Sequence, residues 1–390
     1  MRLTNVLCQV NYHRHFQRIW KRQGKLQVLD VVIPPELEKM GVEIKDSKDF
    51  FLETQRYITP KEKKLGPKIL PPSVLSQNKY LYLMHEKTKV SENENQTLAL
   101  TKTVPYQGLP KELTSLIGVD ILPNQEELVK TSLLQAQVWD AVQHKLPKKL
   151  DISRPHYRFR REYGILYKRK VSSLLEKLTY LCDCATGKYA ASLQRNKILD
   201  TLGEVAVQRG GDEVIYQMPC DILLTSEEPL KPFASAEQVA ATEKEVVPNI
   251  YPIKPTLDLD KYTESPFTLQ PTVNFVNENL HTLFIAQKSF GYWFPKQLLA
   301  RAIATCFAFT ASEAQRKYGH DVGKLPEPIS VQCMYMDVKS FNFIAYQLNT
   351  LELNDSEGIK NQVWIDELST LYDNVSEEDL ITNYNPDIFP

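Results

Sequence analysis

The chain is 390 residues long, and its 47 basic residues almost balance 48 acidic ones. With 42 % hydrophobic residues it can bury a real core, as one large domain or two of ordinary size. The apolar run "AIATCFAFTAS" between Arg301 and Glu313 is far shorter than the roughly 18 to 20 residues a bilayer crossing needs, so a transmembrane span is excluded. The six cysteines form no Cys-x-x-Cys pair and no zinc-site or disulfide spacing, and read as reduced thiols.

Residues 1–29 contain no aspartate or glutamate. Arg2, Arg14, Arg18, Lys21, Arg22 and Lys25 accompany Leu3, Val6, Leu7 and Val10 at helical spacing. A helix with one apolar and one cationic face is the pattern of a mitochondrial targeting segment, and a basic arm touching RNA or lipid is the competing reading. Residues 30–123 are rich in proline and polar residues, which predicts an extended arm, with a small basic cluster at Lys61, Lys63, Lys64 and Lys68.

A body is expected over 124–375. Asn124 with Glu127 reads as the capped start of a helix with apolar positions 128, 129, 133, 136 and 139. A second helix is predicted over about 165–181. Gly210 and Gly211 make a turn into strand material, and Ser235 with Gln238 forms a capping box. Pro295 opens a helix in which Leu298, Leu299, Ala302, Ile303, Cys306, Phe307, Thr310 and Ala314 share a face, with Gly319 as its stop. "PISVQCMYMDVKSFNFIAYQLNTLEL" then reads as an antiparallel hairpin around "DVKS". Helix followed by hairpin, with no βαβ alternation, predicts an α+β fold of helices on a mixed, partly antiparallel sheet. From Leu351 to Pro390 ten acids oppose the single base Lys360, and 376–390 reads as an acidic, solvated tail.

Catalytic constellations appear only as fragments. "ATGKY" lacks the other glycine and the Ser or Thr of a phosphate loop. Cys306, His320 and Asp321 have the types of a nucleophile, base and orienter, but Cys306 lies on the apolar helix face, where a small buried hydrophobe is the better reading. No cofactor or metal site is expected from the scattered histidines. The stretch 154–171 stands apart: Arg154, Arg158, Arg160, Arg161, Lys168, Arg169 and Lys170 oppose only Glu162, and Tyr157, Phe159, Tyr163 and Tyr167 are interleaved with them. Cations meet phosphates and aromatics stack on exposed bases, which is the composition of an RNA-contacting surface. The alternative places the tyrosines in the core and the arginines on its wet face.

The carboxyl-terminal segments "QLLARAIATCFAFTASEAQRKYG", "YQLNTLEL" and "EGIKNQVWIDELSTLYD", with "NIYPIKPTLDL" upstream, resemble the animal mitochondrial large-ribosomal-subunit protein thirty-seven family. A sister family, programmed cell death protein nine, shares the helix and "YQLNTL". The resemblance implies a non-catalytic constituent of the large subunit in the mitochondrial matrix, contacting large-subunit ribosomal RNA, other large-subunit proteins and above all the sister family member. An RNA-binding or assembly factor not retained in the mature ribosome is the alternative.

Overall fold

The computed structural model describes residues 39–41, 80–148, 153, 159–262, 279–287, 293–354, 357–366, 369–376 and 380–389. The chain parts into two compact units, 1–68 and 69–390, and apart from 39–41 every described residue belongs to the second. The targeting segment and Lys61, Lys63, Lys64 and Lys68 lie outside the described residues.

The second unit is built on a ten-stranded mixed sheet. In chain order its main elements are β1 (Leu81–His85), α1 (Asn93–Thr101), β2 (Thr103–Gln107), α2 (Gln125–Gln137), β3 (His144–Lys145), β4 (Tyr163–Gly164), α3 (Tyr167–Thr186), β5 (Asn196–Arg209), β6 (Asp212–Ser226), α4 (Ala236–Ala241) and β7 (Asp260–Tyr262). There follow β8 (Asn279–Ala286), α5 (Pro295–Tyr318), β9 (Lys324–Met336), β10 (Ser340–Thr350), β11 (Asn361–Ile365), β12 (Ser369–Thr370), β13 (Asn374–Ser376) and β14 (Leu380–Thr382). The strands run β2-β11-β10-β9-β8-β6-β1-β7, with β5 along the other side of β6 and β12 on β10. The pairings are parallel for β2 with β11, β8 with β9 and β1 with β6, and antiparallel elsewhere in the sheet. The fold is therefore α+β.

Both faces of the sheet are covered, which explains why its central strands read as nearly continuous apolar runs. In β9, Val331, Cys333 and Tyr335 pack with α1 and α5, while Met334 and Met336 pack with α2 and α3. The period of two along a strand sends alternate side chains to opposite layers, and each layer is apolar. Helix α5 starts at Pro295 and ends at Gly319, whose φ of 93° suits a residue without Cβ. Cys306 is fully enclosed on its inner face. No helix among the described residues is long and apolar enough to cross a membrane.

Strand β6 shows a break that matters below. Residues 213–217 pair with β1 and residues 222–226 with β8, so 218–221 have neither neighbour. Because β1 is parallel and β8 antiparallel to β6, their carboxyl ends point at each other across the gap. Opposite this gap, Asp200 in β5 takes φ 49° and drops out of the ladder with Asp221.

The two motifs "QLNT" and "EGIKN" meet as a buried polar clasp. Asn361 Oδ1 accepts from the amides of Asn349 and Thr350 at 2.8 and 3.0 Å, and its Nδ2 donates to the carbonyls of Thr101 and Thr350 at 2.9 and 3.1 Å. Asn349 Nδ2 donates to the Lys360 carbonyl at 2.8 Å, and Asn349 Oδ1 accepts from Gln347 Nε2 at 2.9 Å. Lys360, 1 % exposed, donates its ammonium protons to the carbonyls of Thr242, Glu243 and Gly358 at 2.9, 3.1 and 3.0 Å. A buried ammonium is tolerable only with its donors satisfied, and here all three are.

Three expectations are corrected. From residue 80 onward the 30–123 arm is folded into the body: β1 and β2 are sheet strands and α1 buries Leu98 and Leu100. The helix expected at Asn124 forms, but Asn124 is left-handed (φ 57°) and its side chain caps nothing; Gln125 Oε1 instead accepts from the Leu122 amide at 3.0 Å. The acidic tail is not merely solvated. Ile381, Tyr384, Ile388 and Phe389 pack on the α2–α3 layer, and the Phe389 ring meets Phe341 edge-on at 5.4 Å. Its few apolar residues are anchors among the charges, and net charge conceals them.

Replacing Asn361 by alanine removes four buried hydrogen bonds, and of the four backbone groups the Thr101 carbonyl keeps the Thr103 hydroxyl as a donor at 3.2 Å. Asn361→Ala is expected to cost on the order of 3–5 kcal/mol, read from urea unfolding midpoints, and a loss under about 1 kcal/mol would show the clasp to be dispensable. At Gly203 a Cβ would stand 2.7 Å from the Phe309 ring. Gly203→Ala should therefore cost about 1–3 kcal/mol, and pairing it with Phe309→Leu should recover part of that in a double-mutant cycle.

Candidate nucleic-acid interface

Helix α3 buries Val171, Leu174, Leu175 and Leu178 against the sheet, which fixes the direction of everything before it. Its first turn carries Lys168, Arg169 and Lys170 and no acid. Cations at a helix amino end oppose the macrodipole, so helix stability does not account for them. They separate in space and in chemistry. Arg169 grips Asp140 with two bonds, Nη2 to Oδ1 at 2.9 Å and Nε to Oδ2, and with the Val142 amide this holds the Asp140 carboxyl below its ordinary pKa. Lys170 is half-buried, and burial lowers its pKa. Lys168 remains exposed.

Upstream, β4 pairs with β3 in a small exposed hairpin, His144 facing Gly164 and Lys145 facing Tyr163. The Leu146 amide donates to the Glu162 carbonyl at 2.9 Å. At Gly164 a Cβ would lie 3.1 Å from Leu146 Cδ1, so glycine permits the close approach. Arg160, Arg161, Lys145 and Lys148 are all exposed, Tyr163 is 66 % exposed and Phe159 is 40 % exposed. Tyr167 turns inward beside Asp337, and burial pushes its phenol up to about 12.

The structure thus divides the 154–171 candidates. Arg160 and Arg161 are exposed together with Tyr163; Arg169 is spoken for by Asp140; Lys170 is partly withdrawn; Tyr167 belongs to the core side, as the alternative reading held. Arg154, Tyr157 and Arg158 lie outside the described residues. His144, Lys145 and Lys148 were missed by sequence reasoning, although the acid-free run "AVQHKLPKKL" between Asp140 and Asp151 was a usable signal.

Cys306 and His320 are not brought together. The thiol is enclosed beside Cys333, while His320, exposed, lies 14 residues further on past the helix end, which at helical rise is roughly 20 Å along the axis. Among the described residues no group of three or more His, Cys, Asp or Glu side chains could hold a metal ion.

Residues 294–389, which contain α5, the hairpin and the clasp motifs, match the family described as mitochondrial 28S ribosomal protein S30 (PDCD9). Large ribosomal subunit protein mL37 of Rattus norvegicus is 29 % identical over 302 residues, covering 75 % of this chain and 66 % of that protein. The mL37 of Bos taurus is 28 % identical over 323 residues, covering 80 % and 71 %. The chain spans just under two thirds of the length of the rat and mouse relatives, at 66 % of each. With mL37 of Gallus gallus it shares 30 % identity over 309 residues, 77 % of this chain and 67 % of the relative; the chain belongs to the large ribosomal subunit protein mL37 family.

Proposed function

We propose that this chain is a non-catalytic structural constituent of the large subunit of the mitochondrial ribosome, working in the matrix. The observation that carries the reading is membership of the mL37 family. The clasped, two-faced sheet is the scaffold, and it presents a hairpin whose cations lie exposed. Lys145, Arg160 and Arg161, with Tyr163 between them, contact large-subunit ribosomal RNA, the cations on phosphates and the ring on an exposed base or sugar. Phosphate contacts of this kind fix position and are indifferent to sequence. The remaining surface meets neighbouring large-subunit proteins, among them the sister family member. Residues 1–29 are a targeting segment, and Lys61, Lys63 and Lys64, together with Arg154, Tyr157 and Arg158, add further RNA contacts.

Tagged protein from mitochondria should sediment in sucrose gradients with the finished large subunit in stoichiometric amount. Appearance on immature particles alone would instead assign an assembly factor. In the purified full chain, Lys145→Ala/Arg160→Ala/Arg161→Ala should keep the melting temperature. Single-stranded RNA binding should weaken in it, with the slope of log affinity against log salt reduced by about two, since each phosphate contact contributes about 0.7. An unchanged slope would remove the hairpin from the interface.

A further inference from the structure

The break in β6 opens into a cleft of about 610 Å³. Two strands, β1 and β8, end there with their carboxyl ends converging, and the gap between them leaves a concave, partly apolar crevice of the kind that holds small ligands. The turn leaving β1 is fixed: the Thr88 amide donates to the His85 carbonyl at 2.9 Å, and the Lys87 amide to His85 Nδ1 at 3.1 Å. It sets Lys87 and Lys89 on the rim, where Lys168 from the first turn of α3 joins them. Residues far apart in the chain thus place cations around one opening.

The floor of the cleft is polar as well. Arg301 from α5 donates Nη1 to Gln287 Oε1 at 3.2 Å, while its Nε is buried with no acceptor among the described residues. A guanidinium N–H left in that state is costly unless something supplies an acceptor. Trp293 lines the wall with Lys89 Nζ 5.1 Å from its ring centre, a cation next to a stacking surface. Three carboxylates, Glu86, Asp200 and Asp221, also line it, and Asp221 Oδ2 accepts from the Ala286 amide at 2.6 Å. Cations alone would suit any anion. Carboxylates beside them suit an anion that also carries hydroxyl and amino donors, and the indole suits one with a flat ring.

The geometry points to a nucleotide site in this cleft: phosphate on Lys87, Lys168 and Arg301, base against Trp293, and ribose or amino donors toward the carboxylates. The nucleotide is either free or one unit of an RNA strand. The cleft shares no residue with the Lys145–Arg160–Arg161 hairpin except through the chain, so the inference stands apart from that surface.

The full chain is dialysed against AMP, with inorganic phosphate as competitor, and titrated separately into a fluorescent single-stranded RNA decamer. The variants are Lys87→Ala/Lys168→Ala and Trp293→Ala, checked for wild-type melting, with Arg160→Ala/Arg161→Ala as the comparison. AMP binding that falls about tenfold in each cleft variant, and stays unchanged in the hairpin variant, supports a free nucleotide. Absent AMP binding with RNA binding weakened to the same extent by the cleft variants supports a strand unit. The inference is overturned if folded cleft variants bind both probes as wild type does, if neither probe binds, or if phosphate displaces AMP with equal affinity. Absent AMP binding, with RNA binding lost only in Arg160→Ala/Arg161→Ala, also overturns it while leaving the hairpin reading in place.

Discussion

Asn361 spends one side-chain amide on four backbone groups, using both lone pairs of its oxygen and both protons of its nitrogen. Those groups belong to the end of β10 and the end of α1, and the Asn361 backbone itself begins β11 and donates to the Lys102 carbonyl at 3.0 Å. Aspartate in its place would lack the donors, and leucine would remove all four bonds in the dry interior. Gln347, Asn349 and Lys360 extend the same network. Lys102 adds a second ammonium, reaching the Glu352 and Glu357 carbonyls at 3.0 and 2.6 Å. A fully satisfied network of this kind specifies one arrangement, because every shifted register leaves members unpaired. The parallel junction of β2 with β11 therefore has a defined register despite contributing few side chains to the main core.

This network also explains which parts of the chain could be read in advance. The Pro295 helix, the "DVKS" hairpin and the Ser235–Gln238 box were legible because each is encoded locally, by periodicity, by a turn and by a cap whose two reciprocal bonds form at 2.8 and 3.3 Å. Strand β5 gave no sign, since Leu199 and Leu202 are exposed and the kink at Asp200 breaks its alternation. The roles of β1 and β2 were hidden for a different reason. Each is five residues long and acquires meaning only from partners more than a hundred residues away. A short apolar strand amid prolines and polar residues looks like an arm until its distant neighbour is known.

For the candidate interface the lesson concerns charge. Composition counts Arg160 and Arg169 alike, but a carboxylate from the preceding helix–loop segment claims one and leaves the other in solvent. The tyrosines divide likewise, Tyr163 outward and Tyr167 toward the core. Family resemblance located the scaffold motifs well because they are the clasp. It said little about the hairpin, whose cations face outward and are under no packing constraint.

The bond from Asn361 to the Thr101 carbonyl spans 260 residues. A chain emerging or being threaded from its amino end must hold α1 and β2 in waiting until almost everything else has arrived, with apolar surface uncovered meanwhile. Such distant closures fold slowly and leave intermediates that adhere to one another. Completion of this sheet is thus a late, whole-chain event set by topology, and until then the early strands keep apolar surface open to unwanted contacts.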